Sequence, residues 1–396
     1  VQGNERNIDM KSRLVSWSIL SAFVWAPQVI AWPGFVWEDW QKATGVQKPD
    51  VVTAQSGHSE LLPLLQTAFE GGERITTTAA WEQKRLGILE TIRTLYGTPL
   101  GVTAANTEAV VGEAEQREGY TRIHVMVTGE AGDPIPAYLL LPDTPVAIPA
   151  PAMIVLHQTQ APGKDEACGI TGDPEMAFAD ELAKRGYVCL VPDAIGFGER
   201  IPAGEQPYHN SMKLYERHPN WSFFGKMNWD VSRAVDYLQS RDDVDGARIG
   251  VIGHSHGAYG SIMAAIQEPR IALVVASCGF TTLRTDPRPD RWSHLTALMP
   301  RMGFYVDNVA SAPLDWHEIV ACIAPRPYFN WATLEDDIFP ETANLAEVYK
   351  QLEDVYALYD EKENFHGELV PGKHRFPKEG REMAYGWIDN KFGVER

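Results

Sequence analysis

From residue 150 to the C-terminus the chain repeats one alternation, a short and almost wholly apolar run followed by an amphipathic stretch. Residues 152–157, 187–192, 248–253, 271–277 and 328–333 read as buried strands, with a last strand ending at 368–371. Between them, residues 175–185, 229–240, 258–267 and 342–358 carry apolar positions at helical spacing. Strands apolar on both faces and separated by helices predict an α/β fold, a mainly parallel twisted sheet with helices on both sides. In such sheets functional side chains stand at the carboxyl ends of the strands.

The first part of the chain has a different rhythm. Residues 122–128 and 135–141 alternate around the turn Gly132-Asp133-Pro134 and predict a hairpin. Residues 32–110 read as a helical extension, with helical periods over 59–69 and 78–96 broken by Gly71-Gly72 and Gly97-Thr98-Pro99. Ahead of it, Met10-Lys11-Ser12-Arg13 precedes an apolar run at 14–25, and Val29-Ile30-Ala31 offers a small-residue cleavage site. The expected organisation is a signal segment at 1–31, the extension at 32–110 and a main α/β domain at 111–396. That implies a periplasmic or secreted protein; the alternative, a cytoplasmic one, follows if Pro27 and the nearby tryptophans form a packed arm.

Charge excludes some partners. With 35 Lys+Arg against 53 Asp+Glu the formal net charge is −18, which speaks against nucleic acid and anionic membranes. Cys168, Cys189, Cys278 and Cys322 form no C-x-x-C pair and no disulfide framework, and read as small buried hydrophobes. No metal or organic cofactor is called for.

The chemistry concentrates at Gly253-His254-Ser255-His256-Gly257, where a predicted strand gives way to a predicted helix. In a G-x-S-x-G turn, small flanking residues let a strained serine lift its hydroxyl above the sheet, at a helix N-terminus that favours developing negative charge. A serine hydroxyl is a weak nucleophile until a base takes its proton, so a histidine and a carboxylate are expected downstream. Leu334-Glu335-Asp336-Asp337-Ile338-Phe339-Pro340 follows the strand ending at Thr333, and Lys373-His374-Arg375-Phe376-Pro377 follows the last strand. Serine, acid, histidine is the chain order this fold uses. His254 and His256 flank the serine too closely to reach its hydroxyl and read as packing residues, and His366 falls on or near the last strand, which leaves His374 as the base. The N–H of His256 is an expected oxyanion donor, with a second from Gln158 or Thr159 after the strand ending at His157; each such donor is worth about 3 kcal/mol.

In this order the sequence resembles the alpha/beta-hydrolase superfamily, whose acid loop often reads Asp-x-aliphatic-x-Pro. The resemblance implies Asp336 as the acid, four residues before Pro340, with Asp337 as the alternative one position on. His157-Gln158-Thr159, the Gly163-Lys164 turn, Pro192-Asp193-Ala194-Ile195-Gly196-Phe197-Gly198-Glu199-Arg200 and Arg248-Ile249-Gly250-Val251-Ile252-Gly253-His254-Ser255 look like its dienelactone hydrolase and acetyl xylan esterase-like branch. The tryptophan-rich extension is also similar to bacterial members of that branch. Dienelactone hydrolases proper carry a cysteine nucleophile, so Ser255 shifts the expectation toward ordinary serine esterases.

Two long segments, 194–226 and 279–323, leave the carboxyl ends of strands and are the expected walls of a pocket. Among their aromatic and cationic residues Arg200, Trp221 and Trp292 are the candidate substrate contacts, suited to a sugar ring or a carboxylate. The sequence reading is a serine esterase removing small acetyl or methyl esters from carbohydrate. A serine peptidase or amidase of the same fold and a non-catalytic hydrolase-fold binding protein are its alternatives.

Overall fold

The computed structural model describes residues 35–99, 102 and 109–396, so the segment at 1–31 read as a signal lies outside the described residues. The elements run α1 (Trp37–Thr44), α2 (Thr78–Tyr96), β1 (Ala109–Arg117), β2 (Tyr120–Glu130), β3 (Asp133–Pro142), β4 (Ala150–Leu156), α3 (Lys164–Ala167), α4 (Phe178–Lys184), β5 (Val188–Pro192), α5 (Ser211–Arg217) and α6 (Phe223–Gln239). They continue through β6 (Val244–His254), α7 (His256–Gln267), β7 (Leu273–Ser277), α8 (Trp316–Ala321), β8 (Tyr328–Thr333), α9 (Leu345–Ala357), β9 (Phe365–Val370) and α10 (Lys378–Phe392). One sheet holds the strands in the order β1-β2-β3-β5-β4-β6-β7-β8-β9. β1, β2, β3 and β5 pair antiparallel, and every pair from β5-β4 to β8-β9 is parallel. The α/β expectation therefore holds.

Side chains of β4 show why the strands read as continuous apolar runs. Ala152, Ile154 and Leu156 enter one hydrophobic cluster, Met153 and Val155 the other, so both faces of the sheet are buried. α2, α6, α7 and α9 cover the first face, and α4 and α10 the second. The helical period at 59–69 does not become a helix. Pro63 interrupts it, and the backbone closes instead through Thr67 N–H to the Glu73 carbonyl (3.1 Å) and Ile75 N–H to that of Leu65 (2.8 Å). β1 is a strand where the helical extension was expected to end.

The extension is fastened to the segment at 279–323. Trp37 Nε1 donates to the Pro300 carbonyl (2.7 Å), and its ring stacks on His294 at 5.0 Å. Arg284 is 1% exposed in its side chain and donates to the carbonyls of His58 (2.8 Å), Gln55 (3.1 Å) and Ala312 (2.8 Å), and to Asp315 (3.2 Å). Removing one partner from a buried, fully bonded charge leaves the rest unsatisfied. Arg284→Ala is expected to cost roughly 3–5 kcal/mol and to lower the thermal midpoint measurably in calorimetry.

Candidate active site

Ser255 is the residue between β6 and α7, and its backbone is strained. Its φ of 53° and ψ of −114° lie where non-glycine residues rarely sit, at a cost of about 1–3 kcal/mol. The surroundings hold it there: its N–H donates to the Ser277 carbonyl at the end of β7 (2.8 Å), and its own carbonyl accepts from Ala258 (2.9 Å) and Tyr259 (3.2 Å). The flanking glycines are sterically required. A Cβ on Gly257 would stand 2.0 Å from the Leu156 carbonyl oxygen, and one on Gly253 2.2 Å from the Gly257 carbonyl carbon.

His374 and Asp336 meet at the adjoining strand ends. His374 Nδ1 lies 2.8 and 2.9 Å from the two carboxylate oxygens of Asp336. Asp336 is 5% exposed, and its Oδ1 also accepts the N–H groups of Ile338 (2.8 Å) and Phe339 (2.7 Å), whereas Asp337 faces solvent. With Nδ1 donating to the carboxylate, Nε2 carries the lone pair, and it is buried without a protein partner. Ser255 itself is 8% exposed. No hydrogen bond joins its hydroxyl to His374; the two share the corner through Ser277 and through His254, whose ring centroid is 4.8 Å from that of His374.

Cys278 sits beside this pair and was not singled out in the sequence as a site residue. Its Sγ, the His374 ring nitrogen and an Asp336 oxygen lie within 4.8 Å of one another, the one such group with metal-ligand chemistry among the described residues. Asp336 is already bound by the imidazole and two backbone N–H groups, so its oxygens are committed. Burial, with the Asp336 charge behind it, pushes the Cys278 thiol up to about 12, which keeps it neutral. A φ of 50° at this cysteine marks a second strained residue beside the first, a signal composition does not carry.

Of the expected oxyanion donors, His256 opens α7 after β6 and Gln158 follows β4. Among the described residues no acceptor takes the N–H of His256 or of Gln158. His157, His254 and His256 are held neutral by burial, His254 also by the charges of His374 and Arg375, and His256 is brought to about 3. The wall is aromatic. Trp292 lies against Tyr259 (5.1 Å) and Phe339 (6.1 Å), and Phe339 against His374 (5.9 Å). Arg291 stands over Phe339 at 4.8 Å and bonds Asp286.

The other two candidate substrate contacts are engaged elsewhere. Arg200 pairs with Asp133 (2.6 Å) and Asp230 (2.7 Å) in a buried charge cluster completed by Lys226, and also donates to the Asp193 carbonyl (3.2 Å). Trp221 is 3% exposed and packs on His218 (5.4 Å) and Trp229 (6.5 Å). No hydrogen bond, ion pair or ring contact joins either to Ser255, Asp336 or His374: Arg200 is held by carboxylates of β3 and α6, with its Nε buried without a protein partner, and Trp221 is packed among rings.

The strand order, the serine on its strained turn and the histidine–carboxylate pair define the class: an α/β-hydrolase acting as a carboxylic-ester hydrolase. A family model described as glucuronyl esterase of fungi matches residues 202–358, less than half of the chain. YtaP of Bacillus subtilis (strain 168), described as a hydrolase, is 31% identical over 228 residues, 56% of this chain and 72% of its own length. The 4-O-methyl-glucuronoyl methylesterase of Schizophyllum commune is 24% identical over 323 residues, covering 73% of this chain and 72% of its own. In fold, the glucuronoyl esterase from Solibacter usitatus aligns with a TM-score of 0.66 and 19% identity, over 84% of this chain and 98% of that one. The chain belongs to the alpha/beta-hydrolase family that includes YtaP. Among the described residues no helix is long and apolar enough to cross a membrane.

The buried neutral imidazoles set an acid limit on the fold. A histidine whose folded pKa lies below its unfolded value near 6.5 leaves the unfolded chain binding the extra proton, so stability present above that pH is lost as pH falls. For His256 the window runs from about 6.5 down toward 3. The thermal midpoint is expected to drop through this range, and His256→Gln should flatten the slope in scans at graded pH.

Proposed function

We propose that this enzyme is a serine esterase acting on small acetyl or methyl esters carried by carbohydrate, with Ser255 as nucleophile, His374 as base and Asp336 as its orienting acid. The observation that carries the reading is the His374 imidazole, bound through Nδ1 to a buried carboxylate with an unpartnered Nε2 at the strand-end corner of Ser255. Hydrogen bonds between nucleophile and base are often long before substrate binds. In the reaction, Ser255 Oγ attacks the ester carbonyl as its proton passes to His374 Nε2. Asp336 stabilises the imidazolium, and the N–H groups of His256 and Gln158 receive the oxyanion. His374 then protonates the leaving alcohol, and water activated by the same imidazole releases the acyl group from Ser255.

Trp292 and Phe339 form an apolar wall beside His374, which suits a small leaving group next to a flat sugar face. The names of the relatives favour a methyl ester of a uronic acid over an acetyl group. The basic-then-apolar order at 10–25 supports export, testable by fractionating cells that express the full chain.

Ser255→Ala is expected to abolish the burst of p-nitrophenol from p-nitrophenyl acetate; a variant that still bursts overturns the assignment. His374→Ala and Asp336→Asn should each lower kcat roughly 10³- to 10⁴-fold with the circular dichroism spectrum unchanged. Turnover of a methyl glucuronate ester above acetylated xylan and peptide amides is expected, and preference for the amides would make the enzyme a peptidase.

A further inference from the structure

His256, directly after the serine, and His157, at the end of β4, are joined to each other through the backbone. His256 Nδ1 lies 3.4 Å from the carbonyl oxygen of His157. His157 Nδ1 lies 2.7 Å from the carbonyl oxygen of Gln158, and its Nε2 accepts the N–H of Ala194 (3.1 Å). These partners fix both tautomers. Each ring nitrogen that meets a carbonyl oxygen must carry the proton, and in His157 the other accepts from a backbone N–H. His256 Nε2 is left as a buried acceptor with no protein partner, and His256 lines a cavity of about 20 Å³ with Asn228 and Asp193. The rings stack at 5.7 Å and 16°, and Phe197 packs on both.

The bonded carbonyls belong to the two peptide groups on either side of Gln158. In a trans peptide the C=O and the following N–H point in opposite directions within one plane. Holding the His157 carbonyl from one side therefore aims the Gln158 N–H to the other. The bond from His157 to the Gln158 carbonyl stops the next peptide from rotating in compensation.

We propose that the imidazoles of His256 and His157 form a positioning clamp that aims the Gln158 N–H at the oxyanion. The proposal rests on the serine-esterase reading above. It gives His256 two separate duties: its backbone N–H is one donor, and its side chain sets the direction of the other. Gly257 makes the reach possible, because a Cβ there would press on the Leu156 and His157 carbonyl oxygens, at 2.0 and 3.0 Å. Burial keeps both rings neutral, as the clamp requires, since a protonated His157 could no longer accept from Ala194. Neither ring touches substrate in this scheme.

The test compares three substitutions at His256 in the full chain, each retaining the backbone donor. An asparagine amide N–H falls near the place of Nδ1, whereas a glutamine amide falls near Nε2 and a phenylalanine offers no donor. The acylation rate constant with p-nitrophenyl acetate is expected to fall about 10²-fold in His256→Gln and His256→Phe, with KM within about twofold, and to recover at least about tenfold in His256→Asn. Equal rates in the asparagine and glutamine variants, or a wild-type rate in the glutamine variant, overturn the clamp. Thermal midpoints are read alongside, and the asparagine–glutamine comparison decides the matter if the phenylalanine variant does not fold. Ser255→Ala run in parallel separates the two ideas: a burst surviving there overturns the nucleophile assignment, whereas its loss together with a wild-type rate in His256→Gln overturns the clamp alone.

Discussion

The site depends on one steric constraint, the passage of the first turn of α7 against the ends of β4 and β6. Gly257 lies where any side chain would enter the Leu156 carbonyl, and Gly253 lies where one would enter Gly257 itself. With those two positions closed to larger residues, the chain leaves β6 and enters α7 through a single residue in a strained conformation, and that residue is Ser255. Strain of this kind persists only where neighbours over-determine it. Here the Ser277 carbonyl holds the Ser255 N–H from β7, and the first helical N–H groups hold its carbonyl. The same close approach brings His256 to the backbone after β4. The strained Ser255, the proposed oxyanion donors and the side chains around them therefore follow from one helix-to-strand distance.

The extension contributes at second hand. Among its described residues none has a hydrogen bond, ion pair or ring contact with Ser255, Asp336 or His374, yet Trp37 and the loop at 53–62 grip the segment at 279–323 through Pro300, His294 and Arg284. That segment carries Trp292 and Arg291, which pack on Phe339, and Phe339 packs on His374. A wall built from a long crossover would be mobile if it were held only at its ends. Fastening its middle to the extension makes that aromatic wall more rigid.

What could be read in the sequence followed from how local the underlying physics is. The strands β4 to β8 announced themselves because burial on both faces leaves unbroken apolar runs, and Ser255 because a sharp strand-to-helix turn needs small residues at fixed offsets. Asp336 was legible only to within one residue. Spacing to Pro340 favours it over Asp337, but the distinction is made by a turn in which Ile338 and Phe339 donate to the carboxylate. The partners of Arg200 and Trp221 were not legible, because residue type shows that a cation or a ring is present and not which neighbour engages it. Asp133, which takes the Arg200 guanidinium, belongs to β3, on the antiparallel side of the sheet. The bonds from His256 and His157 to carbonyls leave no sequence trace at all, since every residue has a carbonyl.

Four imidazoles crowd the carboxyl ends of these strands, and the proposed mechanism assigns proton transfer to one of them. His157 and His256 spend their Nδ1 protons on carbonyl oxygens, and His254 faces the Ser277 hydroxyl at 3.0 Å. None of the three has a carboxylate as a hydrogen-bond partner, and burial opposes a charge on each. Of the four, His374 has Asp336 against its Nδ1, so in the proposed mechanism it is the ring on which a proton from Ser255 is held as a stabilised cation. In that mechanism the positive charge is directed by where a carboxylate is placed rather than by how many histidines are near. The neutral rings then serve as uncharged scaffold, rigid because every proton they carry is already committed.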